Sequence, residues 1–150
     1  MGELDRREIE RVLPHRYPFL FVDRVLALQP GERIVGLLEV GENGRYLARR
    51  GKDAFLPPTV LTEAMAQVGA VLVLHPEENR GRTLFFRAIE RVRFRRPVPV
   101  GASVRIEGQV RRLRGRVGSL AMKAYLGEKL AASGIMGFAL SEESDRHSAV

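Results

Sequence analysis

Residues 60–74 constrain this chain more than any other stretch. They read Val-Leu-Thr-Glu-Ala-Met-Ala-Gln-Val-Gly-Ala-Val-Leu-Val-Leu, mostly good helix formers, and they are apolar on nearly every side. Pro58 suits a first helical turn, where its missing N–H costs little, and Pro76 lies just past the end. A helix with no polar face has to be enclosed by other protein. The residues that follow supply the means. Val104, Ile106, Gly108 and Val110 alternate with Arg105, Glu107, Gln109 and Arg111, and Leu120, Met122, Ala124 and Leu126 alternate with Ala121, Lys123, Tyr125 and Gly127. Residues 83–92, running into Arg93-Phe94-Arg95, and the more apolar 130–140 complete a set of long strands, broken at 97–101, 114–118 and Gly127-Glu128.

One lone helix needing cover on all sides, and a long antiparallel run able to curl around it, predict an α+β chain of the hot-dog architecture: a curved antiparallel sheet wrapped around one long buried helix. Ahead of the helix the sequence predicts a short charged helix over 4–12, ended by Pro14, and a turn over 15–18. A strand over 19–28 follows, whose run Phe19-Leu20-Phe21-Val22 suggests burial on both faces. Gln29-Pro30-Gly31-Glu32 is a turn, and 33–40 the returning strand. Residues 41–52 read as a polar, glycine-bearing loop, 77–82 as a surface loop, and 141–150 as a loose polar tail. A length of 150 residues, 45% of them apolar, suits one domain over 1–150 with one core.

Composition narrows the function. There is no cysteine, which excludes disulfides and thiolate chemistry and fits a cytoplasmic protein. The charged stretch 1–11 is unlike a signal peptide, and no run is long enough to span a bilayer, so no membrane partner is expected. With only His15, His75 and His147, no metal is expected, and no cofactor. The net charge of +7 is carried almost wholly by arginine. Its plainest reading is a solvated surface. An acidic carrier protein comes next and nucleic acid last, since no aromatic–basic motif accompanies the charge.

Three stretches carry a resemblance. Leu13-Pro-His-Arg-Tyr-Pro-Phe-Leu-Phe-Val-Asp-Arg24, Glu63-Ala-Met-Ala-Gln67, and Val92-Arg-Phe-Arg-Arg-Pro-Val98 with Pro99 and Gly101 resemble, in order and spacing, the beta-hydroxyacyl-(acyl carrier protein) dehydratases of bacterial fatty-acid synthesis. The resemblance implies a hot-dog fold that dimerises edge to edge, often as a trimer of dimers, with an acyl tunnel at the interface. It implies dehydration of a beta-hydroxyacyl thioester on acyl carrier protein or coenzyme A. A histidine from a Gly-His-Phe-Pro-Gly loop acts as base, opposite a helix glutamate of the other subunit, and backbone N–H groups of a Met-Pro-Gly-Val segment hold the thioester carbonyl.

Carried over residue by residue, the glutamate is Glu63. Leu56-Pro57-Pro58-Thr59 stands where Met-Pro-Gly-Val is expected, so Pro58 replaces the glycine. The histidine position falls on Arg49 or Arg50, and no histidine occurs anywhere from 40 to 55. Arginine does not titrate near neutrality. Losing a positioned acid–base group costs ~10²–10⁴ in rate. Proline also deletes a backbone donor, and losing one oxyanion donor costs ~10²–10³. The expectation is an acyl-thioester-binding protein that is catalytically degenerate as a homo-oligomer. Two alternatives stay open: a helper subunit presenting Glu63 to an active dehydratase, and a hot-dog thioesterase using Glu63. Gln67, one turn beyond Glu63, is expected to orient it or to satisfy a backbone group. Pro57, Pro58, Thr59 and Gln67 are expected at the substrate. Arg49, Arg50 and Lys52 are either a solvated loop or a contact for the phosphopantetheine phosphate or acidic carrier helices. His15 reads as structural, with a lesser prospect of serving as a substitute base. His75 reads as structural at a helix C-terminus, where a cation is favoured.

Overall fold

The computed structural model describes residues 2–41 and 46–142, so His147 and the expected tail beyond Glu142 lie outside the described residues. The chain runs α1 (Arg6–Val12), β1 (Arg24–Gln29), β2 (Arg33–Glu39), β3 (Ala48–Arg50), β4 (Asp53–Leu56), α2 (Pro58–Leu74), β5 (Leu84–Phe94), β6 (Val98–Pro99), β7 (Ser103–Arg114), β8 (Val117–Leu126) and β9 (Lys129–Leu140), with a 3-10 turn at Glu77–Asn79. Six strands form one sheet in the order β1-β2-β7-β8-β9-β5, every neighbouring pair antiparallel. The sheet lies around α2, as the apolar helix requires. From Ala64 to Leu74 every residue of the helix is buried.

Alternation decides which side chains meet the helix. Val104 and Ile106 of β7, Leu120, Met122 and Ala124 of β8, and Met136 and Phe138 of β9 are buried with it in one continuous apolar cluster. Each of these side chains except Ala124 stabilises the fold by roughly 1.5–3 kcal/mol relative to exposure. Helix and sheet touch closely because glycine stands at the contacts. A Cβ on Gly36 would lie 2.7 Å from Val68 Cγ2, and one on Gly69 2.8 Å from Leu120 Cδ1. The helix starts two residues before the periodic segment, with Pro57 as N-cap and Pro58 in the first turn. At the other end the Asn79 side-chain amide donates to the Val73 carbonyl (2.9 Å), and Arg80 donates to that of His75 (3.1 Å), closing C-terminal carbonyls of α2.

Four expectations need correction. The strand expected over 19–28 begins only at Arg24. The backbone groups of Phe19 and Phe21 are taken by the Gln67 side chain instead of a ladder. The loop expected over 41–52 contains β3, which pairs with β4 (Arg49 opposite Ala54, Arg50 opposite Asp53) in a small separate sheet ordered β3-β4-β6. The short first helix begins at Arg6, because Asp5 caps it. Its carboxylate accepts from the Glu8 N–H (2.9 Å) while the Glu8 carboxylate accepts from the Asp5 N–H (2.8 Å). Ser141 is not part of a loose tail. It is buried, and its hydroxyl and backbone both bond the backbone of Thr83 (2.9 Å each), which extends the pairing of β5 with β9.

β5 closes one end of the six-stranded sheet, so one of its edges has no strand partner among the described residues. It also exposes apolar bulk: Phe85, Ile89 and Phe94 remain 57%, 48% and 46% accessible.

Candidate active site

Glu63 lies near the start of α2, on the one part of the helix that meets solvent, with its side chain 48% exposed. Gln67, one turn on, is buried to 1%. Its amide nitrogen donates to Glu63 Oε1 (3.1 Å) and to the Phe19 carbonyl (2.8 Å), and its oxygen accepts the Phe21 N–H (2.8 Å). Gln67 thus bonds the Glu63 carboxylate and the backbone of 19–21 at once. The backbone of 19–21 fixes which way the amide faces, and the remaining N–H is left pointing at the Glu63 carboxylate.

The structure brings a second group to this carboxylate. His15 Nε2 stands 3.6 Å from Glu63 Oε1 in the same chain, with the imidazole 34% exposed and its Nδ1 buried without a hydrogen-bond partner among the described residues. Sequence reading treated His15 as structural first; its position makes it part of the site. The turn that delivers it is pinned by the Arg16 guanidinium, which donates to the carbonyls of Leu13 and His15 (2.8 Å each). Arg16's own carbonyl in turn accepts the Phe19 N–H (2.7 Å).

His15, Glu63 and Gln67 line one pocket of about 520 Å³. Ala66, Ala70 and Leu74 run along it from α2, and Leu84 and Phe86 of β5 face them. At four-residue spacing these three share one face of the helix, a smooth apolar track of about 12 Å leading away from the carboxylate. Small side chains leave room there for an extended hydrocarbon. A larger cavity, about 880 Å³, lies at the far end of α2 around His75 and Phe138 and reaches neither His15 nor Glu63.

The other expected site residues are not drawn into the Glu63 pocket of this chain. Arg49 and Arg50 are exposed on β3. Pro57, Pro58 and Thr59 start α2; Pro58 borders a separate hollow of about 330 Å³ beside Arg95 and Arg96. Of those three only Thr59 has a backbone N–H, because the other two are prolines; the next two N–H groups, of Val60 and Leu61, both turn back to the Pro57 carbonyl (3.0 and 3.1 Å). His75 also departs from the reading as a C-terminal cation. Burial first, then the Arg80 guanidinium, holds its imidazole below the usual histidine range, against a smaller opposite pull from Glu8.

Two contributors escaped sequence reading. The Tyr46 ring meets Phe21 edge-on (centroids 5.6 Å apart) and Phe19 at a tilt (6.3 Å), covering the segment that Gln67 holds. Asp23 accepts from the Glu39 N–H (2.7 Å) and from Arg6 (3.0 Å), tying β2 and α1 to the same segment. Asp23 falls inside the 13–24 stretch that carries the resemblance but is given no role there, and Tyr46 has no sequence signal.

Comparison with known proteins gives the family and agrees with the fold. The FabA-like domain matches residues 13–134. The 3-hydroxyacyl-(acyl-carrier-protein) dehydratase FabZ of Pelotomaculum thermopropionicum is 44% identical over 138 residues, covering 91% of this chain and 99% of that protein. FabZ of Desulforamulus reducens is 43% identical over 141 residues, covering 93% and 99%. Among solved structures, the dehydratase heterocomplex ApeI:P from Xenorhabdus doucetiae superposes with a TM-score of 0.77 at 18% identity, covering 91% of this chain and 93% of that one. At that identity the likeness bears on the fold alone, which is hot-dog. Among the described residues no helix is long and apolar enough to cross a membrane. Matched along most of its length to the FabA-like domain and to FabZ enzymes, the chain belongs to the FabZ-type 3-hydroxyacyl-(acyl-carrier-protein) dehydratase family.

Proposed function

We propose that this chain binds beta-hydroxyacyl and enoyl thioesters, on acyl carrier protein or coenzyme A, in the groove beside Glu63, and that an assembly of this chain alone turns them over slowly. One observation carries the reading. The Glu63–Gln67 unit stands intact at the head of an apolar track, while residues 40–55 contain no histidine and Pro58 supplies no N–H. The scaffold for holding a thioester is kept, and two parts of the fast chemistry are absent. The FabZ relatives are by name enzymes of acyl-carrier-protein-bound 3-hydroxyacyl groups. A cytoplasmic location and one folding unit over 1–150 belong to the same proposal. The test is hydration of crotonyl-CoA by purified protein, beside calorimetric binding of butyryl-CoA, which has no double bond to hydrate. Saturable binding with slow turnover is expected. Rapid turnover overturns the reading, and release of free thiol would move it to the thioesterases.

The exposed apolar edge of β5 favours a second subunit. A second copy pairing along β5 gives a homodimer, or a trimer of dimers. An active dehydratase pairing there instead would make this chain a helper that presents Glu63 to a partner's base. Light scattering on the pure protein, and co-purification with a co-expressed dehydratase, separate the two.

A further inference from the structure

We propose that the acid–base pair of this site is His15 with Glu63 of the same chain, and that such hydration or dehydration as the protein performs runs through the His15 imidazole. The inference rests on the reading above, that a thioester occupies the Glu63 groove. Three observations place the pair. Nε2 and Oε1 are 3.6 Å apart, close enough to tighten when ligand excludes water. Both groups line the same pocket, which carries an apolar track, so a substrate lying in it reaches both. Each is held from behind, Glu63 by Gln67 and the His15 turn by Arg16. The other described histidine, His75, is at the far end of α2.

The step balances without any co-reactant. In the form of the pair that reacts, one proton is held between the two groups and sits on Glu63. Nε2 takes the hydrogen from C2 of the beta-hydroxyacyl thioester, and that C–H electron pair becomes the C2–C3 π bond. The C3–O bond breaks, and the departing oxygen takes the Glu63 proton to leave as water. The imidazolium then returns its proton to the neighbouring carboxylate, which resets the pair. Hydration is the reverse. Hydrogen and hydroxyl leave adjacent carbons on one face, as suits two groups that stand side by side.

The same geometry limits the rate. A free lone pair on Nε2 requires the ring hydrogen on Nδ1, which is buried with no acceptor among the described residues. The competing tautomer points its Nε2–H at the Glu63 carboxylate. Leaving a buried donor unpaired disfavours the working tautomer.

The experiment measures crotonyl-CoA hydration and butyryl-CoA binding on the full chain, for wild type, His15→Gln, His15→Asn, Glu63→Gln and His15→Gln/Glu63→Gln. The turn is held through backbone carbonyls, so the His15 variants are expected to fold, and thermal melts check this. Each single variant should lose about 10²-fold in rate or fall to background, the double variant should fall no further, and butyryl-CoA affinity should stay within about threefold. Folded His15 variants that keep wild-type turnover overturn the pair, as does a wild type no faster than the uncatalysed reaction. Failure of wild type to bind butyryl-CoA sinks the thioester groove itself. Fast turnover that vanishes with His15 sinks only the slow-turnover reading.

Discussion

Gln67 holds the 19–21 segment in place of a strand ladder, and replacing it measures what that device contributes. Gln67→Leu nearly conserves volume, so the cavity contribution is small. What remains is the loss of partners for the Phe21 N–H and the Phe19 carbonyl, both partly buried and both bonded at 2.8 Å. A buried group left unpaired costs about 1–3 kcal/mol. Two partly buried groups give a destabilisation of roughly 2–4 kcal/mol. With a urea dependence of about 2 kcal/mol per molar, the unfolding midpoint should drop by roughly 1–2 M at fixed protein concentration. Gln67→Glu sharpens the assignment. It keeps an acceptor for the Phe21 N–H but loses both donors and sets a second carboxylate beside Glu63, so its deficit should shrink as pH falls and one carboxylate protonates. A Gln67→Leu midpoint within experimental error of wild type would refute the account, for it would show that 19–21 is held by its own packing against Tyr46 and the core.

Further outcomes follow from other contacts. Gly36→Ala should lower stability by about 1–3 kcal/mol in urea unfolding, because its Cβ meets Val68. Gly36→Ala/Val68→Ala should be more stable than the sum of the single losses predicts. Arg49→His with Pro58→Gly should raise crotonyl-CoA hydration by about 10²-fold or more if the missing base and donor are what slow the site; the same assay on Arg50→His decides which arginine holds the position. His75 is held below its ordinary range in the fold, so the unfolded chain takes up a proton first as pH falls. Stability from His75 is thus full above about pH 6.5 and is lost below it. Urea midpoints measured between pH 7.5 and 5.5 should fall less in His75→Gln than in wild type.

What the sequence disclosed, and what it withheld, divides along the range of the interactions. The buried helix and β7 to β9 were legible because their period is written in neighbouring residues: every side chain from Ala64 to Leu74 had to be enclosed, and Val104, Ile106, Leu120 and Met122 had to face it. Glu63 and Gln67 were legible for the same reason, as polar residues spaced one turn apart in an apolar helix. Residues 19–23 misled because an apolar run looks like a strand whether its backbone groups are satisfied by a ladder or, as here, by one buried amide from a distant helix. β3 was missed because its exposed Ala48-Arg49-Arg50 carries no alternation; pairing with β4 makes it a strand. The position of His15 is the furthest from local reading. Its distance to Glu63 is set by the Arg16 turn and by the hold of Gln67 on Phe19, neither of which has a period. An absence confined to residues 40–55 therefore argues only that this loop supplies no imidazole. Whether the site has one depends on how the turn ahead of that loop docks on α2, and there an imidazole stands beside the carboxylate.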